Sequence, residues 1–408
     1  MVFERIVGSR SRSALRATAT GAFFLAAGAA FAGCGQPMTP GLHPVTIETD
    51  GIERQAVYFV PSSYTGKDKL PVVFDFHGSN SNPVGQLKRS SWDKVAEKNG
   101  FIAVALQGSL SGKAPGTYGW NVPHVQVSQA ILPNGAQGGQ DEIAFIEDAV
   151  EEVKEDLCVD PNRIFASGYS GGGRMLSAYV CSGQDDFVAA GFVNSLRAGR
   201  PVETDGKWGP DAANCNPAKP ISIVAFAGEK DAQNPYAGGG SAYWQYGFKT
   251  AIKRWTDLDG CKGNGNAKTV EGVTYTMYGT CTNGARIATY VFEKGTHDWP
   301  RPSEAREAVM AAAKDGVAGV TKVSSVVPAK PAFDANVDPA FRMWDFFSKA
   351  DTTDMVATAA PAKSSSGSKS GTTVASDCST QINMQDTTCS SIQPTTPRRS
   401  GQGVRDAL

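Results

Sequence analysis

The chain has 408 residues, of which 41% are hydrophobic and 19% charged, and its formal net charge is −1. This composition is typical of a globular protein and excludes a disordered or fibrous chain. Because the sequence has no large basic run, it gives no reason to expect a nucleic acid or an anionic membrane as a partner.

Residues 1–32 have the pattern of a secretory signal peptide. A basic stretch that includes Arg10, Arg12 and Arg16 precedes an apolar run at residues 21–31, which ends in the small-x-small pattern that signal peptidase cuts. The run is shorter than the roughly 20 residues that a membrane span needs. We therefore expect export, cleavage of this leader and an extracellular location.

The cysteine count also fits an exported protein. Eight cysteines follow the predicted leader, and an even number is typical of a complete disulfide set. Residues 31–34 loosely resemble a lipobox, but lipidation of Cys34 would leave seven cysteines, so we favour a soluble protein. The sequence does not determine the connectivity, and pairs close in sequence are the simplest. The expected pairs are Cys181–Cys215, Cys261–Cys281, Cys378–Cys389 and, between the N-terminus and the body, Cys34–Cys158.

Predicted strands and helices alternate along the chain. In chain order they are a hairpin (45–49 and 55–60), strand 71–76, helix 92–99, strand 101–106, a Gly-rich loop (108–139), helix 141–157, strand 163–166, helix 174–181, strands 187–193 and 221–227, helix 246–258, strand 287–292 and helix 340–347. This alternation predicts an α/β protein with a mostly parallel central sheet and helices on both faces. Active residues of such sheets lie in loops at the carboxyl ends of the strands.

Two segments are expected to lie outside the core. Residues 302–339 combine an Ala-rich stretch with a Val/Ser/Pro stretch and are interpreted as an insertion in a catalytic domain of residues 33–350. Residues 351–408 are rich in Ser, Thr, Ala and Pro, a composition that cannot bury enough apolar surface to fold well, so we expect a flexible tail.

A candidate nucleophile lies in the motif Gly168-Tyr169-Ser170-Gly171-Gly172, which fits G-x-S-x-G. The motif follows a predicted strand and precedes a predicted helix, the context in which this motif forms a nucleophile elbow. Such a turn is strained and tight, so its neighbours must have almost no side chain. We therefore predict Ser170 as the nucleophile.

The predicted base is His297, because a serine hydroxyl needs a neighbouring base and no other histidine follows Ser170 in the chain. His297 follows the predicted strand 287–292. The acid should lie between these two residues, and Asp231 follows strand 221–227 within a short loop, with Glu229 as the alternative. Its role would be to orient the imidazole and stabilise its charged form.

Backbone N–H groups are expected to supply an oxyanion hole. Gly171 follows the nucleophile directly, and the loop after the early strand 71–76 offers Gly78 or Ser79. His77 is expected to shape this loop rather than to do chemistry. The sequence has no spaced metal ligands and no nucleotide fingerprint, so no metal and no cofactor are expected.

The chain resembles the superfamily of secreted feruloyl esterases, acetylxylan esterases and polyhydroxybutyrate depolymerases, which have the α/β-hydrolase fold. The resemblance covers roughly residues 34–347. The stretches that carry it are Phe76-His77-Gly78, Gly119-Trp120, GGQDEIAFI at residues 138–146, LCVDPNRI at residues 157–164 and Gly168-Tyr169-Ser170.

The resemblance implies a monomeric, disulfide-stabilised esterase that acts on plant cell-wall esters through Ser170, Asp231 and His297. It also places Trp120 near the acyl pocket, and we expect Tyr169 and Trp299 to contact substrate as well. The nearest alternative is an extracellular polyhydroxybutyrate depolymerase. The elbow departs from the Ser-Ala-Gly-Gly form common among depolymerases, and the sequence shows no clear module for binding an insoluble polyester. An alternative of another class is a non-catalytic binding protein on this fold, which predicts a broken triad.

Overall fold

The computed structural model describes residues 33–123, 139–301 and 337–350. The described strands are β1 (Gly41–Thr49), β2 (Ile52–Val60), β3 (Leu70–Phe76), β4 (Ile102–Leu106), β5 (Leu110–Ser111), β6 (Tyr118–Gly119), β7 (Val159–Tyr169), β8 (Ala189–Val193), β9 (Pro201–Thr204), β10 (Lys207–Pro210), β11 (Ser222–Gly228), β12 (Asn266–Val270), β13 (Val273–Tyr278) and β14 (Ile287–Phe292). The described α-helices are α1 (Pro83–Ser90), α2 (Trp92–Asn99), α3 (Glu142–Asp156), α4 (Gly171–Cys181), α5 (Phe248–Leu258) and α6 (Pro339–Phe347).

Ten of these strands form one sheet in the order β1-β2-β4-β3-β7-β8-β11-β14-β13-β12. The central strands from β4 to β14 pair in parallel, and antiparallel strands extend the sheet at both edges. This arrangement is the α/β-hydrolase fold that the sequence predicts. Parallel central strands bring their carboxyl ends to one edge of the sheet, and the loops there can meet.

Helices cover both faces of the sheet, as predicted. Side chains alternate across each strand, so Phe74 of β3 belongs to one buried cluster and Val73 to the other. The first cluster contains the buried faces of α3, α4 and α5, and the second contains those of α1, α2 and α6. The apolar strands are therefore buried on both sides, which is why they read as continuous apolar runs.

Several elements differ from the sequence expectation. Helix α1 was not predicted. Half of its eight residues are polar, and its start depends on Asn82, whose side chain accepts a hydrogen bond from the backbone N–H of Gly85 at 2.8 Å. The hairpins β9–β10 and β12–β13 and the short pair β5–β6 were also missed. These strands are short or largely exposed, so they carry little apolar alternation.

Three disulfides link Cys34 to Cys158, Cys181 to Cys215 and Cys261 to Cys281. They are the pairs expected from the sequence. The fourth expected pair, the predicted leader, most of the predicted insertion and the predicted tail lie outside the described residues. Among the described helices, none is long and apolar enough to cross a membrane.

Candidate active site

Ser170 lies at the sharp turn between β7 and α4. Its backbone has φ 51° and ψ −118°, a left-handed conformation that costs energy for a residue with a side chain. Its N–H donates to the carbonyl of Val193 at 3.1 Å. The glycines around it permit close approach, because a Cβ on Gly172 would lie 2.2 Å from the carbonyl oxygen of Phe76. The elbow predicted from the motif is present, and the hydroxyl is lifted to the carboxyl edge of the sheet.

The structure brings Ser170, His297 and Asp231 together in one hydrogen-bonded row. His297 Nε2 lies 2.8 Å from Ser170 Oγ, and His297 Nδ1 lies 2.7 Å from Asp231 Oδ2. The other carboxylate oxygen of Asp231 accepts from the backbone N–H groups of Gln233 and Asn234, both at 2.8 Å. His297 and Asp231 are buried, whereas the alternative acid, Glu229, is exposed. The imidazole is thus held between a hydroxyl and a carboxylate.

Two side chains hold the backbone of the His297 loop, a role that the sequence analysis assigned to neither of them. The Asn194 Nδ2 group lies 3.0 Å from the carbonyl oxygen of His297 and within 3.3 Å of those of Thr296 and Asp298. The Tyr169 hydroxyl donates to the same His297 carbonyl at 2.8 Å. Asn194 is buried and has φ 52°, and it comes directly after β8 at the carboxyl edge of the sheet. That position at a strand end was the signal available in the sequence.

The loop after β3 packs against the start of α4. A Cβ on Gly171 would lie 3.1 Å from the backbone nitrogen of Ser79, so the two backbone segments are close neighbours. Gly171 is the first residue of α4, so its N–H has no acceptor within the helix. Within the described part of the chain, neither this N–H nor that of Ser79 donates to a backbone carbonyl. Gly78 is buried beneath them, against the Tyr169 ring.

His77 connects this loop to its neighbours. Its Nδ1 lies 2.8 Å from the carbonyl oxygen of Gly78, and its Nε2 accepts from the N–H of Gly108 at 3.1 Å. Trp120 donates from Nε1 to the His77 carbonyl at 2.7 Å. Complete burial lowers the pKa of His77 to about 4. The ring is therefore neutral at pH 7 and shapes the loop, as expected.

A cavity of about 460 Å³ opens beside Ser170. Trp120 lines it, as the sequence predicts, and the aromatic residues Tyr118, Tyr243 and Trp244 join it in the wall. Tyr169 and Trp299, which the sequence analysis expects to contact substrate, do not line this cavity. Both rings are buried and pack together, with centroids 6.0 Å apart, and the Tyr169 ring also lies 5.5 Å from that of His297.

A buried polar cluster lies under the elbow, on the sheet face covered by α1 and α2. Asp75 accepts hydrogen bonds from Gln86, Ser90 and Ser167 at 2.7 to 3.0 Å, and Trp92 donates from its indole to Ser167 at 2.7 Å. Burial raises the pKa of Asp75 to about 6 despite these hydrogen bonds. The cluster links α1 and α2 to β3 and to β7, the strand that leads into Ser170.

The residues described contain no group of three or more His, Cys, Asp or Glu side chains arranged to hold a metal ion. The groups gathered at this site are a serine hydroxyl, an imidazole, a carboxylate and nearby backbone N–H groups. The sheet order and the serine elbow at the end of β7 define the class of protein as an α/β-hydrolase.

Comparison with known proteins shows which α/β-hydrolases the chain is similar to. The chain is 30% identical over 225 residues to "Feruloyl esterase C" of Emericella nidulans, covering 54% of this chain and 69% of that protein. It is 27% identical over 250 residues to "Feruloyl esterase B" of Piromyces equi, covering 60% of this chain but 42% of that protein. No family model matches the chain. The chain belongs to the feruloyl esterase family of carboxylic ester hydrolases.

Two of the solved structures that are similar to the chain are esterases by title. An acetyl xylan esterase from Aspergillus awamori has a TM-score of 0.41 at 14% identity and covers 66% of this chain and 98% of its own. A thermostable esterase has a TM-score of 0.39 at 16% identity and covers 62% of this chain and 55% of its own.

Proposed function

We propose that the protein is a serine esterase in which Ser170 attacks the ester carbonyl, His297 acts as the base and Asp231 orients His297. The observation that carries the proposal is the row of two short contacts, 2.8 Å from Ser170 Oγ to His297 Nε2 and 2.7 Å from His297 Nδ1 to Asp231 Oδ2. The carboxylate keeps the proton on Nδ1, which leaves Nε2 free to accept the serine proton. A non-catalytic binding protein on this fold would not need a serine, a histidine and an aspartate in these two contacts.

In the proposed mechanism, the oxyanion of the tetrahedral intermediate is stabilised by the backbone N–H groups of Gly171 and Ser79. These groups lie close together and make no backbone hydrogen bond within the described ranges. Donors that are already oriented where charge develops are worth far more than donors that must reorganise. His297 returns its proton to the leaving alcohol, and water then hydrolyses the acyl-enzyme by the same route.

We further propose that the substrates are feruloyl esters or related esters of plant cell-wall polysaccharides. Two features support this choice. The relatives above are feruloyl esterases, and the cavity beside Ser170 is lined by Trp120, Tyr243 and Trp244, whose flat rings suit a planar aromatic acyl group. Secretion is part of the same proposal, because three disulfides are typical of an oxidising compartment.

The test measures ferulate release from methyl ferulate and 4-nitrophenol release from 4-nitrophenyl acetate. We expect wild type to hydrolyse both esters and Ser170→Ala to lose both activities, while the control Ser348→Ala, which removes an exposed hydroxyl at the end of α6, keeps both. Full activity of Ser170→Ala would refute the proposed nucleophile. Hydrolysis of the acetate only, together with clearing of a polyhydroxybutyrate suspension, would keep the nucleophile and refute the feruloyl assignment.

A further inference from the structure

A second cavity, of about 340 Å³, lies next to the cavity of Ser170. The two cavities share Val122, Arg174 and Tyr243 in their walls, so a ligand bound beside Ser170 has direct access to Arg174. The second cavity also contains Arg197 and Arg200. We call it the arginine cavity.

Arg174 has no partner of opposite charge in the described ranges. It makes no hydrogen bond or ion pair with another described residue, and its Nε is fully buried without a hydrogen-bond acceptor. Its guanidinium carbon lies 3.8 Å from the centroid of the Tyr243 ring and 5.3 Å from that of Trp244. The two rings hold the guanidinium in place, but they do not neutralise its charge. Burial and the charge of Arg197 lower its pKa to about 10, so it stays a cation at neutral pH.

Arg197 is a second buried cation beside it. Its side chain donates to the backbone carbonyls of Leu196 at 2.6 Å and Tyr246 at 2.8 Å, and its guanidinium carbon lies 4.9 Å from the centroid of the Trp244 ring. Of the described residues, no carboxylate forms an ion pair with it. Two positive charges therefore lie in one buried region. This arrangement costs free energy unless an anion binds between them.

Two other arginines of this chain have a carboxylate partner. Buried Arg54 pairs with Glu142 at 2.6 Å, and Arg200, at the rim of the arginine cavity, pairs with Asp211 at 2.9 Å. Residues 124–138, which continue from the cavity wall at Pro123, contain no Asp or Glu. Arg174 and Arg197, which both line the arginine cavity, have no such partner among the described residues.

We propose that the arginine cavity is a subsite for a carboxylate on the substrate, held by Arg174 with Arg197 behind it. The inference rests on the proposed esterase function and narrows its substrates to esters that bear a carboxylate on the acyl or the alcohol part. A guanidinium matches a carboxylate with two parallel N–H bonds. The carboxylate would also neutralise the charge that the described residues leave uncompensated.

The experiment compares pairs of esters that differ in one charge. The acyl arm uses 4-nitrophenyl hydrogen succinate against 4-nitrophenyl butyrate, and the alcohol arm uses carboxymethyl ferulate against methyl ferulate. For each pair, the ratio of kcat/KM for the charged ester to that for the neutral ester is measured in wild type, Arg174→Met, Arg174→Lys and Arg286→Met. Arg286 is the matched control, since it also packs over an aromatic ring, at 5.1 Å from the Phe346 centroid, but lines neither cavity.

We expect Arg174→Met to lower this ratio by roughly 10- to 100-fold in one arm, the loss of a charge-assisted hydrogen bond. Arg174→Lys should lower it less, and Arg286→Met should leave it unchanged. The arm that responds shows which part of the substrate carries the carboxylate. An unchanged ratio in both arms would overturn the proposal.

Titration calorimetry gives a readout that does not depend on turnover. Wild type should bind glucuronate more tightly than glucose, and equal binding of the two would overturn the subsite even if Arg174→Met does not fold. If wild type hydrolyses no neutral ester but still prefers glucuronate, the esterase proposal fails and the anion subsite stands.

Discussion

His77 allows a quantitative test of how the loop after β3 is built. The ring is fully buried, with Nδ1 against the Gly78 carbonyl and Nε2 accepting from the Gly108 N–H, so protonation of Nε2 would break the second contact. Burial lowers its pKa from an ordinary value of 6.5 to about 4. A lowered pKa in the folded state means that stability is fully present above pH 6.5 and is lost as the pH falls toward 4.

The size of the effect follows from the two pKa values. Their full difference corresponds to about 3 kcal/mol, of which about 2 kcal/mol is lost between pH 7 and pH 5. The raised pKa of Asp75, about 6, acts with the opposite sign in part of this range. We therefore compare wild type with His77→Gln, because the contribution of Asp75 is common to both and cancels.

The assay is urea denaturation followed by tryptophan fluorescence at pH 7 and pH 5, with the disulfides kept oxidised. The free energy of unfolding of wild type should fall by about 2 kcal/mol more than that of His77→Gln between these pH values. A difference between the two proteins that does not change with pH would refute the assignment of His77 as a buried neutral ring.

Three further predictions follow from single contacts. Asn194→Ala should lower kcat roughly 10- to 100-fold with little change in KM, because the His297 loop loses its side-chain support; an unchanged kcat would contradict this role. Asp231→Asn should lower kcat by about 10³- to 10⁴-fold, measured on methyl ferulate, because the imidazole loses its orienting carboxylate; a loss below tenfold would favour another acid. Replacement of Cys34 and Cys158 by serine should lower the free energy of unfolding by about 5 kcal/mol in urea titrations, since the bond closes a separation of 124 residues; an unchanged urea midpoint would show that this bond does not stabilise the fold.

The parts of the site that the sequence could predict are those that depend on local pattern and chain order. The G-x-S-x-G motif fits only a tight turn between strand and helix, so Ser170 could be placed at the elbow from its neighbours alone. His297 and Asp231 each follow a buried strand of the parallel sheet, and parallel strands end at one edge. The order of these residues in the chain and the shared edge of parallel strands were enough to predict that the three side chains lie together.

The parts that the sequence could not predict depend on side-chain direction and on contacts distant in the chain. Tyr169 and Trp299 are close to Ser170 and His297 in sequence, but their side chains point behind the site. Asn194 contacts a loop about a hundred residues later through its side chain; the sequence shows its position at a strand end but not this contact. In the sequence, Arg174 has only the pattern of a helical residue. The fold is needed to show that no described carboxylate forms an ion pair with it.

The strands and helices also divide into those that local sequence pattern could predict and those that it could not. Strands buried on both faces have continuous apolar sequences and were predicted, including β3, β4, β11 and β14. Helix α1 was missed because its start depends on capping by Asn82 rather than on an apolar stripe.

The central claim, that Ser170 is the nucleophile activated by His297, is tested most directly by covalent labelling. Wild type and His297→Ala are treated with a fluorophosphonate, and the labelled peptide is identified by mass spectrometry. The 2.8 Å contact between His297 Nε2 and Ser170 Oγ predicts one label on Ser170 of wild type, loss of ester hydrolysis in proportion to labelling, and little labelling of His297→Ala. A label on another residue, or full hydrolysis after Ser170 is labelled, would contradict the account.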